Sequence, residues 1–83
     1  ILLTDVAGVL ATSGDLMSTL TRREVLEAID KETVRGGMIP KLKCCLQAVE
    51  GGVEKAHIID GRQENSILLE LFTQAGIGTE IVP

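Results

Sequence analysis

Two short apolar runs constrain this chain more than any other feature: Ile1-Leu2-Leu3 leading into Thr4-Asp5-Val6, and Ala56-His57-Ile58-Ile59 leading into Asp60. A half-exposed strand alternates apolar with polar residues, whereas a continuous apolar run reads as a strand buried on both faces, as in the parallel sheets of α/β proteins. Such strands require helices over the sheet. Branched aliphatics must do the packing, because one phenylalanine is the whole aromatic content of the 83 residues. An apolar fraction of 45% excludes a disordered or collagen-like chain. No run approaches the roughly 18 consecutive apolar residues of a membrane span. A domain of this size buries only about 60% of its unfolded-chain surface, so its core is marginal.

Between the runs the pattern turns helical. A loop over residues 8 to 17, centred on Ser13-Gly14-Asp15, follows the first strand, with Val9-Leu10-Ala11 offering a brief second strand. Thr21-Arg22-Arg23-Glu24 is a capping box. It starts a helix with Val25, Leu26 and Ile29 on its apolar face, Glu27 and Lys31 as an i,i+4 ion pair, and Gly36-Gly37 as its stop. Pro40 then fits the first turn of a second helix, in which Met38, Leu42, Cys45, Leu46 and Val49 keep the helical period up to Gly51-Gly52. After the turn Gly61-Arg62, a third helix is expected over residues 65 to 75, with Leu68, Leu71, Phe72 and Ala75 on its apolar face and Gly76 as its stop. Glu80-Ile81-Val82 closes the chain as a strand. This order predicts an α/β fold, a mainly parallel sheet covered by helices on both faces.

Charge and cysteine usage exclude several functions. Eight basic against twelve acidic residues give a net charge of −4 with no basic block, so the footprint of a nucleic-acid surface is missing. Cys44 and Cys45 are adjacent, poorly placed to pair with each other, and point to a reducing compartment, cytosol or organelle stroma. They lack the second pair that zinc needs, and the lone His57 makes no metal site, so no metal ligands are expected. Cys45 belongs to an apolar stripe and reads as core. Ser13, Ser18 and Ser66 have no histidine at a recognisable spacing. The chain starts inside an apolar strand without an initiator Met, which fits the carboxy-terminal part of a longer protein.

Two constellations are suited to chemistry. In Arg35-Gly36-Gly37-Met38-Ile39-Pro40-Lys41 the glycines permit close backbone approach, the following helix start presents amides, and Lys41 adds a full charge, a set that suits a phosphate oxygen. The spacing is not that of a P-loop, and a helix-to-helix connector with a solvated lysine explains the same residues. In Thr4-Asp5-Val6-Ala7-Gly8-Val9, Asp5 and Gly8 follow a parallel strand, where nucleotides meet open α/β sheets; an Asp-led turn is the alternative.

Together these segments resemble the amino acid kinase family, and within it the carboxy-terminal part of the acetylglutamate kinases. The resemblance rests on Leu2-Leu3-Thr4-Asp5-Val6-Ala7-Gly8-Val9, Gly36-Gly37-Met38-Ile39-Pro40-Lys41, His57-Ile58-Ile59-Asp60-Gly61-Arg62, and Leu68-Leu69-Glu70 followed by Gly76-Ile77-Gly78-Thr79, in order along nearly the whole chain. It implies ATP-dependent phosphorylation of the γ-carboxylate of N-acetyl-L-glutamate, in arginine biosynthesis, with magnesium accompanying the nucleotide. Lys41 would be catalytic. Asp5, Val6, Ala7, Gly8, Val9 and Leu10, with Thr33, Val34, Arg35, Gly37 and Met38, would hold the nucleotide. Residues 1 to 83 would then be the nucleotide-binding part of a domain whose acetylglutamate pocket lies elsewhere, and inactive alone. Glu70, Gly76 and Gly78 match a region that shapes an arginine feedback site in some members. Homo-oligomers, and the PII protein in photosynthetic members, are the implied partners, in cytoplasm or plastid stroma. Rival readings are another amino acid kinase, such as glutamate 5-kinase or aspartokinase, and a non-catalytic regulatory or binding module of the same fold.

Overall fold

The computed structural model of the chain describes residues 1–34, 36–73 and 76–83. The two apolar runs become the strands β1 (Leu2–Thr4) and, later in the chain, β3 (Ala56–Asp60), which pair in parallel with Leu2 opposite Ile58 and Thr4 opposite Asp60. Two further strands, β2 (Thr19–Thr21) and β4 (Thr79–Val82), also pair in parallel, and β3 meets β4 antiparallel with Ala56 opposite Ile81. The sheet order is β1-β3-β4-β2. It is thus two parallel pairs joined back to back, and β2 is a strand that residue pattern alone did not reveal.

Among the described residues three helices cover the sheet: α1 (Arg22–Asp30), α2 (Met38–Glu50) and α3 (Ser66–Phe72). The capping box opens α1 as expected, with Glu24 N donating to Thr21 Oγ1 at 3.2 Å and Thr21 N donating to Glu24 Oε1 at 3.0 Å. Period-2 alternation divides β3 between two faces. Ala56 and Ile58 join Leu20, Val25, Leu42, Cys45, Leu46, Val49 and Ile81 in one core beneath α1 and α2. His57 projects from the opposite face, where its ring meets Glu70 of α3.

Four local expectations need correction. Val9-Leu10-Ala11 forms no strand; Leu10 makes an isolated antiparallel bridge to Leu16, and the loop folds back on itself through Met17 N to Val9 O at 2.8 Å. The first helix ends at Asp30, well before Gly36-Gly37, because Glu32 turns left-handed at φ 58°. Ala28, not Leu26, completes its buried face, and Leu26 is exposed. Glu27 and Lys31 are not among the ion pairs of the described residues; Arg22 Nε instead reaches Glu50 Oε1 at 3.0 Å and ties α1 to α2.

The third helix corrects the pattern reading most. It runs from Ser66 to Phe72 with Asn65 as its cap, and buries Ser66 and Glu70. Leu68, Leu71 and Phe72, the expected inner face, point outward, and Phe72 is 80% exposed. Ala75, assigned to the same face, lies outside the described residues, as does Arg35. Among the described residues no helix is long and apolar enough to cross a membrane.

Candidate functional site

The carboxyl ends of β1 and β3 lie side by side, and the residues that follow them form the first part of the site. Lys41 reaches this edge from the first turns of α2. Its Nζ donates a hydrogen bond to Thr4 Oγ1 and stands 3.9 Å from Asp5 Oδ1. The Asp5 carboxylate is 82% exposed and takes no backbone amide among the described residues, so the Asp-led turn is not what it forms. On the β3 side, Gly61 N donates to Thr4 O at 2.8 Å, and Arg62 clamps Asp60 through Nε to Oδ1 and Nη2 to Oδ2, each at 3.0 Å. Those hydrogen bonds hold the Asp60 carboxyl below the usual carboxylate range and raise Arg62. The edge therefore pairs one charge-bearing lysine with an open acidic residue, while the neighbouring Asp60 is already neutralised.

Beside this edge lies an apolar cleft of about 340 Å³, lined by Val6, Gly8, Leu10, Ala11, Thr33, Val34 and Met38. Six of these belong to the two stretches that the family resemblance assigns to a nucleotide, from either side of α1; only Ala11 is not among them. Val9 is fully buried behind the wall. Asp5 stands at the strand end, Ala7 is exposed within the loop, and Gly37 caps α2 just before Met38. Gly37 has an ordinary helical φ of −65°, and a Cβ placed on it would meet nothing within 4 Å. The fold does not require glycine there, so the bare backbone beside the cleft is free to face a ligand. The helix start presents fewer amides than expected, because Ile39 N is spent on Gly36 O and Pro40 has none. Among the described residues, positive charge at the strand edge rests on Lys41.

Sequence reasoning did not find the two threonines that organise the site. Thr4 holds the Lys41 ammonium. Thr79, fully buried, accepts from Val9 N at 2.9 Å and donates to Met17 O at 2.6 Å. For Thr79 the available signal was a threonine two residues before Ile81, on the same inward face of a strand.

A second, polar cavity of about 270 Å³ opens on the other face, lined by Ser18, Thr19, Lys55, His57, Glu70, Leu71, Thr73, Gly76 and Glu80. Glu70 is its most constrained member. Oε1 accepts from Ile77 N at 2.7 Å and Gly78 N at 2.8 Å, and Oε2 lies 2.7 Å from His57 Nδ1. Burial pushes the Glu70 carboxyl up, but the His57 hydrogen bond and the two amides outweigh it and leave the pKa lowered. Gly76 borders this cavity, whereas Gly78 is packed against β3. Among the described residues no group of three or more His, Cys, Asp or Glu is placed to hold a metal ion.

Residues 1–60 match a family model described as the amino acid kinase family. Across nearly the whole chain the sequence is similar to acetylglutamate kinases: 63% identical to that of Sulfurimonas denitrificans over 98% of this chain and 29% of that protein. For the protein of Syntrophus aciditrophicus the figures are 56%, 99% and 28%. The chain thus spans less than a third of the length of these relatives. Among solved structures it is similar to N-acetylglutamate synthase from Neisseria gonorrhoeae complexed with coenzyme A and N-acetyl-glutamate, with a TM-score of 0.89 and 33% identity over 98% of this chain and 19% of that one. The same synthase complexed with coenzyme A and L-arginine gives a TM-score of 0.84 and 32% identity over 96% and 18%.

Proposed function

The chain belongs to the amino acid kinase family, and on that premise we propose that it is the nucleotide-binding, carboxy-terminal part of an acetylglutamate kinase. The reaction is transfer of the γ-phosphoryl of magnesium-bound ATP to the γ-carboxylate of N-acetyl-L-glutamate, a step of arginine biosynthesis. A carboxylate oxygen forms the new bond to phosphorus, the bond to the β-phosphate oxygen breaks, and ADP leaves. Such a transfer needs positioning and charge neutralisation more than covalent help from the protein. The observation that supports this reading is the place of Lys41: its ammonium is fixed by Thr4 at a parallel strand edge, beside an apolar cleft wide enough for a base. In this reading Lys41 stabilises charge on the transferring phosphoryl, while Val6, Gly8, Leu10, Thr33, Val34 and Met38 enclose the base. The acetylglutamate pocket belongs to the remaining length of the enzyme.

Lys41→Ala in the complete enzyme is expected to lower kcat by about 10²–10³-fold with far less change in nucleotide affinity. A variant that keeps wild-type kcat would remove Lys41 from the chemistry. High identity to acetylglutamate kinases favours this reading over glutamate 5-kinase, aspartokinase or a non-catalytic module, and turnover with N-acetyl-L-glutamate against glutamate and aspartate separates them.

A regulatory reading attaches to the polar cavity. The Glu70 carboxylate uses three of roughly four acceptor positions, and Glu80 adds a second carboxylate to the same lining. This chemistry suits a guanidinium, and one solved relative is a complex with L-arginine. Activity that is indifferent to arginine would dismiss this reading and leave the kinase reading standing.

A further inference from the structure

We propose that Thr79 is a positioning residue of the nucleotide cleft: its side-chain hydroxyl, from the far end of the chain, sets the wall formed by the loop after β1. The inference rests on the reading of that cleft as the nucleotide site. Three observations converge. The hydroxyl bridges both limbs of the loop, accepting from Val9 N at 2.9 Å and donating to Met17 O at 2.6 Å, so one side chain adds to the backbone bond from Met17 N to Val9 O in closing a segment that carries no regular strand. Thr79 has no exposed surface and does not line the cleft, so it acts only through the loop. Gly8, which does line the cleft, packs directly on it: a Cβ on Gly8 would lie 2.7 Å from Thr79 Oγ1, at a backbone φ of 157° that favours glycine.

Thr79 is itself held. The two residues before it give their environment to Glu70, which accepts the amides of Ile77 and Gly78, and Glu80 N donates to Ser18 O at 2.8 Å. The hydroxyl is therefore presented from a strand end fixed on both sides, and the loop conforms to it. Without the hydroxyl, the buried Val9 amide and the part-buried Met17 carbonyl lose their partner, and the loop relaxes toward water to satisfy them.

The test uses the complete enzyme with Thr79→Val, which keeps the shape and removes the hydroxyl, and Thr79→Ser, which keeps the hydroxyl. Two readouts are taken: steady-state kinetics with MgATP, and hydrogen exchange at the Val9 amide. Thr79→Val is expected to speed Val9 exchange and raise the KM for MgATP about tenfold with kcat within about twofold, while Thr79→Ser stays within about twofold of wild type in both. If Thr79→Val fails to accumulate, Thr79→Cys, with a weak donor and acceptor of similar size, takes its place and is expected to fall between the two. An unchanged KM despite faster Val9 exchange would overturn the proposal, as would Thr79→Ser being as impaired as Thr79→Val. Failure of the nucleotide reading looks different: in the wild-type enzyme MgATP would not slow exchange in residues 6 to 10 at all, which removes the proposal before any variant is compared.

Discussion

The carboxylate of Glu70 has a side chain only 3% exposed, where burial on its own favours the neutral acid. Three donors reverse that preference and leave the pKa lowered, which makes the ionised form part of the folded state. The sign of the pH effect follows. A carboxyl whose folded pKa lies below its unfolded value, about 4.3, contributes stability above that value and loses it as pH falls through the folded one. Glu70→Gln is expected to be less stable at neutral pH, by about 1–3 kcal/mol. Its denaturation midpoint should then change less with pH than that of the parent below about pH 5, so that the two converge in acid. Asp60, also held low by Arg62, titrates in both proteins and cancels from the difference. Parallel curves from pH 7 to pH 3 would show that the clasp does not depend on charge.

At the scale of elements, what the sequence disclosed depended on whether a pattern reports burial inside this chain. The two apolar runs became β1 and β3 in parallel, and α2 buried Leu42, Cys45, Leu46 and Val49 at the positions its period named. The two candidate nucleotide stretches came together around one cleft because a strand end and a helix start are where α/β folds place such residues. By contrast, α3 turned Leu68 and Leu71 outward and Glu70 inward, since its inner side clasps a loop rather than filling a core. Strand β2 stayed hidden because Thr19-Leu20-Thr21 is too short to establish alternation. The junction of β3 with the start of β4 nevertheless has a strict requirement. A Cβ on Gly78 would stand 2.2 Å from Ile58 O and 2.7 Å from Ile59 Cγ2, a clash with backbone that no rotamer relieves. Gly78→Ala is expected to cost about 3 kcal/mol or more and to lower Tm by at least about 10 °C, whereas Gly37→Ala, facing open space, should change stability by less than about 1 kcal/mol. Comparable melting of the two variants would mean that the β3 to β4 junction is not packed as described.

For the molecule as a whole, the Cα radius of gyration of 11.8 Å equals the value of about 11.8 Å expected for a compact chain of 83 residues. Its accessible surface of 5278 Å² nonetheless exceeds the roughly 4,800 Å² expected for a folded monomer of 8.8 kDa. The extents of 33 × 30 × 20 Å explain the difference: the molecule is a slab, with α1 and α2 over one face and, among the described residues, only the short α3 over the other. On that thinner side Leu3, beside Ile59 in the sheet, is 53% exposed, and α3 offers Leu68 at 55% and Phe72 at 80%. Residues so exposed contribute little to folding stability, while those of the opposite core contribute fully. Leu3→Lys and Phe72→Lys are therefore each expected to change stability by no more than about 0.5 kcal/mol, against about 2–5 kcal/mol for Ile58→Ala in the core. The two lysine variants should also reduce binding of an apolar dye and any self-association of the 83-residue chain seen by sedimentation. A loss at Leu3 or Phe72 that rivals the loss at Ile58 would mean that this face is already covered in solution, and that the chain does not present the half-clad sheet that a piece of a larger domain would have.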